Sequence, residues 1–151
     1  MPSPHHIRLR GPWNLRVVSQ FATQSAVLCG PVEVRVPSDW SEALGPEFRG
    51  TVEYSRYFNC PTGISDTTPL SICLEMIDGR ASLSLNKQQL GTWCWPDFPK
   101  RFDITGQLLL RNELVIRIEL PDESVAVIER PPGRKPSDAG GLVGEVRLEI
   151  G

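Results

Sequence analysis

The feature that most constrains the fold is a period of two in the apolar residues, clearest between positions 76 and 91. Such alternation sends apolar side chains to one face of a strand and polar side chains to the other. The apolar members are Ala81, Leu83 and Leu85, and the polar members between and after them are Ser82, Ser84 and Asn86. Because Asp78–Gly79 and Asn86–Lys87 are turn dipeptides, this stretch predicts a strand hairpin.

The same alternation recurs along the chain, and no helical period is present. One short helical turn is expected at residues 38–44, where Ser38 and Asp39 stand at cap positions. About ten short strands separated by turn signals predict an all-β fold, an antiparallel β-sandwich or barrel. We also expect the first and last strands to pair. Besides the hairpin, the predicted strands are residues 5–10, 13–18, 26–29, 31–36, 48–58, 70–76, 114–120, 124–128 and 143–150.

Chain length and loop composition predict one domain covering residues 1–151. At 151 residues the chain is long enough to bury a core without a disulfide or metal. Residues 62–69 are rich in Gly, Ser, Asp, Thr and Pro and predict a loop. Residues 130–141 carry almost no apolar side chain, so we expect them to form an exposed, mobile loop.

The charge balance argues against two classes of partner. The 16 basic and 18 acidic residues are spread along the chain and give a formal charge of −2. Without a basic patch, we expect no nucleic acid and no membrane partner. No apolar run approaches the roughly 20 residues of a membrane span, and no signal peptide is visible, so we expect a cytoplasmic protein.

Four cysteines, Cys29, Cys60, Cys73 and Cys94, have no metal-binding or redox spacing. We expect them to be free, partly buried thiols. Two disulfides are the alternative, and these would require an oxidising compartment. We expect no cofactor, whereas the sequence leaves a structural calcium ion open, because loop carbonyls and carboxylates leave little local signature.

No catalytic constellation emerges from the sequence. The only two histidines, His5 and His6, are adjacent on a predicted strand and point in opposite directions, so a serine or cysteine triad is hard to assemble. A Gly-rich stretch at residues 140–144 precedes a strand and not a helix, which argues against a phosphate site. We therefore expect a protein that is not an enzyme.

A cluster of aromatic residues in the loop at 92–101 is the candidate binding surface. Extended backbone would place both indoles on one side of the chain, with polar groups at the border for a ligand or partner. The alternative is that one or both indoles fold back into the core, as Trp13, Trp40, Tyr54 and Phe58 are expected to do. The candidate ligand-binding residues are Trp93, Trp95, Asp97, Phe98 and Arg101.

Six motifs follow one another in an order that resembles a known family. They are Pro37-x-x-Trp40; Phe48-Arg49-Gly50 leading to Tyr54-x-Arg56-x-Phe58; Ile77-Asp78-Gly79-Arg80-Ala81 leading to Leu85-Asn86 and Leu90-Gly91; Phe102-Asp103-Ile104-Thr105; Asn112-Glu113-Leu114; and Gly140-Gly141. This series resembles the N-terminal sugar-binding domain of family-two glycoside hydrolases such as β-galactosidase and β-glucuronidase. The resemblance implies a galactose-binding-domain-like jelly roll.

Two departures from that family matter. Asn86–Lys87 stands where the family usually has Asn-Gly, so we expect this turn to lack the two positive-φ residues of a type I′ turn. The catalytic carboxylates of the family lie in a separate α/β barrel, which has no counterpart in these 151 residues. The motif residues Asp78, Arg80, Asn86 and Asp103 are therefore more readily explained as turn and loop ties than as catalytic groups.

Three functions stay open at this point. The first is a non-catalytic carbohydrate-binding module, which the fold resemblance motivates. The second is a protein-interaction or assembly domain, including a homo-oligomer, in which exposed aromatic residues would anchor the partner. An accessory role beside a separately encoded glycoside hydrolase belongs with these two. The third, a hydrolase remnant or stand-alone enzyme, is disfavoured because no nucleophile, base or metal set is apparent.

Overall fold

The structure, a computed structural model, describes residues 5–20 and 30–151. It is all-β apart from one helical turn, as the alternation predicted. In chain order the elements are β1 (His5–Arg8), β2 (Trp13–Gln20), β3 (Val32–Val34), β4 (Ser38–Asp39), α1 (Ser41–Leu44), β5 (Gly50–Asn59), β6 (Leu70–Leu74), β7 (Arg80–Leu85), β8 (Gln88–Trp93), β9 (Lys100–Asp103), β10 (Arg111–Leu120), β11 (Gly141–Leu142) and β12 (Val146–Ile150).

Two antiparallel sheets pack face to face as a sandwich. One has four strands in the order β1-β12-β6-β9, and the other has six in the order β3-β2-β5-β10-β7-β8. The short strands β4 and β11 form a separate pair. β1 pairs with β12, with His5 opposite Ile150, which confirms the predicted pairing of the first and last strands.

The core lies between the sheets and receives the apolar member of each alternating pair. On β5 and β10, the two strands with the longest ladder, Tyr54 is 1% exposed and Ile116 is fully buried. Trp13 and Trp40 are 0% and 1% exposed, so their prediction as core residues is confirmed. The polar member of each pair is left for the outer faces of the sheets.

Arg56 interrupts the apolar pattern on the inward face of β5. It alternates with Tyr54 and Phe58, both of which are buried as predicted. Its Nε and Nη1 atoms are enclosed, and neither finds a hydrogen-bond partner among the described residues. Burial lowers the pKa of this guanidinium. An unsatisfied polar group in this position costs folding free energy.

The turn between β7 and β8 corrects one expectation. Asn86 and Lys87 both adopt positive φ, at 52° and 71°, as a type I′ turn requires. The Asn86 side chain holds this geometry because its Oδ1 accepts from the Glu113 amide and its Nδ2 donates to Asn112 Oδ1. A glycine is therefore not needed to obtain the turn, although Lys87 adopts a conformation that L-residues disfavour.

The strand predicted at residues 124–128 is wrong. Asp122 accepts hydrogen bonds from the amide and hydroxyl of Ser124, and its carbonyl accepts from the amides of Val125 and Ala126. This local turn takes the backbone out of extended geometry. Val125 and Val127 are 66% and 81% exposed as a result, so their alternation has no sheet to pack on.

The expectation of a purely exposed loop at residues 130–141 is also wrong. Asp78 is fully buried, and it accepts from Arg130 Nε at 2.5 Å and from Arg134 Nε at 2.7 Å. Arg134 also pairs with Asp39 at 3.1 Å. We call Asp78, Arg130 and Arg134 the arginine latch, because these ion pairs fasten the loop to the sandwich. The loop then enters β11, where Gly141 pairs with Asp39.

Some predictions fall partly outside the described residues. The strand expected at 26–29 lies outside them, and so does Cys29. Cys60, Cys73 and Cys94 are free thiols. Cys73 is only 1% exposed although it lies on the outward face of β6, and burial raises its pKa. Across residues 5–20 and 30–151, no helix is long and apolar enough to cross a membrane.

Candidate functional site

The structure separates the two indoles of the predicted aromatic surface. Trp93, the last residue of β8, is 7% exposed, and its ring packs against Phe98 at 6.2 Å and Phe102 at 5.1 Å between centroids. The prediction that Trp93 forms part of a ligand-binding platform is therefore wrong. The large apolar ring is instead buried in the core, as the alternative required. Trp95 is half-buried and stays on the loop.

The polar members of the predicted surface are paired and dispersed. Asp97 is exposed and pairs with Lys100 Nζ at 2.7 Å. Arg101 projects onto the outer face of the four-stranded sheet, where its Nη2 contacts Glu149 at 2.9 Å. Phe98 is half-buried against Trp93. Asp97 and Arg101 are thus engaged in ion pairs within the protein, and ligand binding by Trp95, Asp97, Phe98 and Arg101 stays a prediction.

The four motif residues that we explained as structural ties all make contacts within the fold. Asp78 belongs to the arginine latch, and Asn86 holds the hairpin turn. Asp103 accepts from the amide and hydroxyl of Thr105, at 2.9 Å and 2.7 Å. Arg80 pairs loosely with Glu119 at 3.4 Å. None of these contacts requires a ligand.

The outer face of the six-stranded sheet carries a site that sequence reasoning missed. Strand register places its polar residues in rows that run across the strands. The central row is uncharged, with Ser55, Val115, Ser84 and Gln89 side by side on β5, β10, β7 and β8. Longer charged side chains stand on either side of this row. We call the resulting depression, about 350 Å³ in volume, the trough.

One wall of the trough is a three-residue ion pair. Glu53 on β5 accepts from Arg117 Nη2 at 2.6 Å and from Arg16 Nη2 at 2.9 Å. Burial by itself would raise the pKa of Glu53, but the hydrogen bonds from the two guanidinium groups outweigh it and hold the pKa below its ordinary value. Glu53 is thus a fixed carboxylate. The wall continues with Ser82, which lies beside Arg117 on β7.

The opposite wall is formed by Glu113 and Lys87, and Tyr57 stands behind Glu113 on the neighbouring strand. Tyr57 lies beside Glu113 in the β5–β10 ladder. A hydrogen bond to the Glu113 carboxylate raises the pKa of the Tyr57 hydroxyl. Tyr57 is 52% exposed, and the Arg111 guanidinium lies 4.9 Å from its ring centroid. Lys87 makes no ion pair within the described part of the chain, so its ammonium group is available to a ligand.

The side chains of the trough include both hydrogen-bond donors and hydrogen-bond acceptors. Arginine, lysine and glutamine side chains donate, glutamates accept, and serine hydroxyls do both. The outward direction of these residues was predictable from the alternation, but their juxtaposition was not. Which strands are neighbours, and in which register, depends on pairings between distant parts of the chain.

A larger cleft, about 490 Å³, lies between β3 and α1, but its lining is less suited to a polar ligand. Its lining combines the apolar residues Val32, Val34, Pro37 and Ala43 with the polar residues Glu33, Arg35, Ser38, Asp39 and Glu42. The Asp39 carboxylate there already accepts from Ser41 and Arg134. No group of three or more His, Cys, Asp or Glu side chains converges on a metal-binding position within the described residues.

No protein-family profile and no curated protein matches this sequence. Solved structures do match it. The β-glucuronidase of Bifidobacterium dentium superposes with a TM-score of 0.75 at 19% identity, over 99% of this chain and 30% of that one. The chain has the fold of one domain of such glycosidases. A family-two β-galacturonidase from Eisenbergiella tayi matches with a TM-score of 0.69 at 16% identity, over 98% of this chain and 24% of that one.

A rhamnosidase from Novosphingobium sp. PP1Y also matches, with a TM-score of 0.70 and 21% identity, over all of this chain and 16% of that one. The chain thus spans less than a third of the length of each of these three proteins. The predicted resemblance is confirmed at the level of fold.

Proposed function

We propose that this protein is a non-catalytic carbohydrate-binding domain of the kind that accompanies glycoside hydrolases. The trough is the observation that carries the proposal, because it lines up donors and acceptors on a rigid sheet. Every sugar hydroxyl both donates and accepts, so a surface that offers Arg117 and Lys87 together with Glu53 and Glu113 matches a polyhydroxylated ligand.

Preorganisation supports the same function. The ion pairs from Arg16 and Arg117 to Glu53 join three side chains to one another on the surface of the sheet. A ligand that bonds to their remaining donor and acceptor positions therefore loses less affinity to side-chain ordering. Sheet residues also hold their positions more accurately than loop residues do.

The charge state of Glu53 argues against hydrolysis in the trough. Glycosidases use two carboxyl groups roughly 5–9.5 Å apart, one of them an acid with a raised pKa. The two carboxylates of the trough are Glu53 and Glu113, and the guanidinium groups of Arg16 and Arg117 hold Glu53 in its ionised form. The lowered pKa of Glu53 therefore makes it a poor general acid.

A protein-assembly role is the second candidate, and exposed apolar side chains favour it. Leu109 and Leu110 are 60% and 90% exposed, and Val127 is 81% exposed. Such residues anchor partners when they lie together on a surface. Light scattering across a concentration series checks the homo-oligomeric form of this role, which a monomer at all concentrations would contradict.

A glycan array with the purified domain, run with and without calcium, tests the proposed function. We expect binding to at least one glycan class and no turnover of a panel of nitrophenyl glycosides. Absence of binding to every glycan, with the protein folded by circular dichroism, would reject the proposal. Turnover of any nitrophenyl glycoside would reject its non-catalytic part.

A further inference from the structure

The shape of the trough restricts its ligand to an extended molecule. The uncharged central row continues from β8 to Asn14 on β2, which lies opposite Ser55. Five strands spaced about 4.8 Å apart give the row a length of about 19 Å. The trough is lined by residues of β5, β10, β7 and β8 and so covers about 14 Å of this length, and all five side chains of the row are exposed or half-buried. A single sugar ring would fill only part of it.

The charges along the walls restrict the ligand further. Glu53 stands on one side and Glu113 on the other, so a ligand in the row meets a carboxylate on each wall. Both Glu53 oxygens already hold guanidinium groups, which partly neutralises Arg16 and Arg117 as sites for another anion. A uronic acid chain carries a carboxylate on every ring, so it would place negative charges beside Glu53 and Glu113, whereas the Lys87 ammonium group could pair with only one of them. A neutral hydroxyl can donate to either glutamate and accept from Arg117 or Lys87.

We infer that the trough binds a neutral, extended oligosaccharide that lies across the strands, and that it discriminates against uronic acid chains. This inference rests on the proposed function and adds the place and the chemical class of the ligand. The contacts that select the ligand are the Glu53 and Glu113 carboxylates, the Arg117 guanidinium and the Lys87 ammonium.

Affinity gel electrophoresis tests the inference with defined probes. The probes are soluble neutral polysaccharides, namely glucomannan, arabinoxylan, galactan and hydroxyethyl cellulose, and the acidic polygalacturonate. We expect at least one neutral probe to retard the protein and polygalacturonate to leave it unretarded. For the retarding polysaccharide, hexasaccharide fragments should bind roughly tenfold or more tightly than disaccharides, since each added hydrogen bond strengthens binding about fivefold.

A blocking variant and a matched control locate the site. Ser84→Tyr places a ring in the central row, whereas Ser71→Tyr makes the same change on the outer face of the four-stranded sheet. Both serines are half-buried strand residues, and tyrosine suits a strand, so both variants should fold. We expect Ser84→Tyr to weaken binding roughly tenfold or more, the equivalent of one or two lost hydrogen bonds, and Ser71→Tyr to leave binding unchanged.

The outcomes separate failure of the site from failure of the function. Retardation by a neutral probe that Ser84→Tyr leaves intact would overturn the site while the carbohydrate-binding function stands, and Trp95→Ala would then test the aromatic loop. Retardation by polygalacturonate alone would overturn the ligand class. No retardation by any probe would reject the proposed function together with this inference. Loss of binding to a neutral probe in Ser84→Tyr but not in Ser71→Tyr would support both the carbohydrate-binding function and the trough as its site.

Discussion

Replacing Asp78 with asparagine should destabilise the domain severely, because Asp78 is the one anion of the arginine latch. The carboxylate is fully buried, and the Arg130 side chain is only 10% exposed. The substitution keeps the size of the side chain but removes the carboxylate that balances Arg130 and one of the two carboxylates that pair with Arg134. Breaking a buried ion pair from one side costs about 3–5 kcal/mol, since the remaining charge is left uncompensated.

Urea denaturation followed by tryptophan fluorescence measures this cost. With an m-value of about 2 kcal/mol per molar urea for a domain of this size, the expected loss moves the midpoint down by about 1.5–2.5 M. Glu119→Gln is the matched control, because Glu119 pairs with Arg80 at 3.4 Å on an exposed surface. That pair should contribute less than about 1 kcal/mol, or a shift under about 0.5 M.

Trypsin gives a second readout, since the latched loop has a cleavable bond after Arg134, whereas Arg130 and Lys135 are each followed by proline, where trypsin does not cut. We expect this loop to resist cleavage in the wild-type protein and to be cut rapidly in Asp78→Asn, because opening of the loop then costs less free energy. If the midpoint of Asp78→Asn moved no further than that of Glu119→Gln, the latch would not be what holds the loop. Early cleavage of the wild-type loop would contradict the same reasoning.

Three further predictions concern single side chains. Arg56→Met should raise the free energy of unfolding by about 1–3 kcal/mol in urea titration, because it removes an enclosed group without partners among the described residues; a loss of stability would show that Arg56 is satisfied. Trp93→Ala should cost about 3–5 kcal/mol, as for a core aromatic, whereas Trp95→Ala should cost clearly less; equal costs would place both indoles in the core. Because the pKa of Glu53 is lowered from its ordinary value of 4.5, its stabilisation is complete above that pH and is lost as the pH falls through the folded-state pKa. Glu53→Gln should therefore flatten the acid side of a plot of melting temperature against pH, and an unchanged slope would show that this carboxylate is not stabilised by its arginines.

Alternation of apolar and polar residues predicted strands correctly where the segment pairs with a neighbouring strand on both sides. Residues 114–120 and 81–85 were predicted as strands and lie within β10 and β7, which pair with each other. The alternation of Val125 and Val127 was just as regular, yet no strand forms there, because side-chain hydrogen bonds to Asp122 turn the backbone first. Competing local hydrogen bonds of this kind are the reason that a period of two is not sufficient to make a strand.

The latch escaped prediction for a different reason. Low apolar content at residues 130–141 suggested that the loop had nothing to bury, and in terms of hydrophobic area that was correct. Arg130 and Arg134 instead find Asp78, a carboxylate more than fifty positions earlier in the chain. A solvated arginine and a latched one have the same local sequence, so only the three-dimensional pairing distinguishes them.

The candidate site shows how far local signals extend toward function. Aromatic residues are the strongest local sign of a binding surface, but the same large rings contribute most to a core, and Trp93 is buried there. The trough has no such local sign, because Ser84 and Val115 form part of a binding surface only when strand register sets them side by side.

A slip of one residue between β7 and β10 would turn Leu83 or Leu85 outward and abolish the row. The Asn86 side chain opposes that slip, since it bonds the Glu113 amide from the hairpin turn. A residue first explained as a turn former therefore also fixes the geometry of the binding surface, through the position at which it holds two strands.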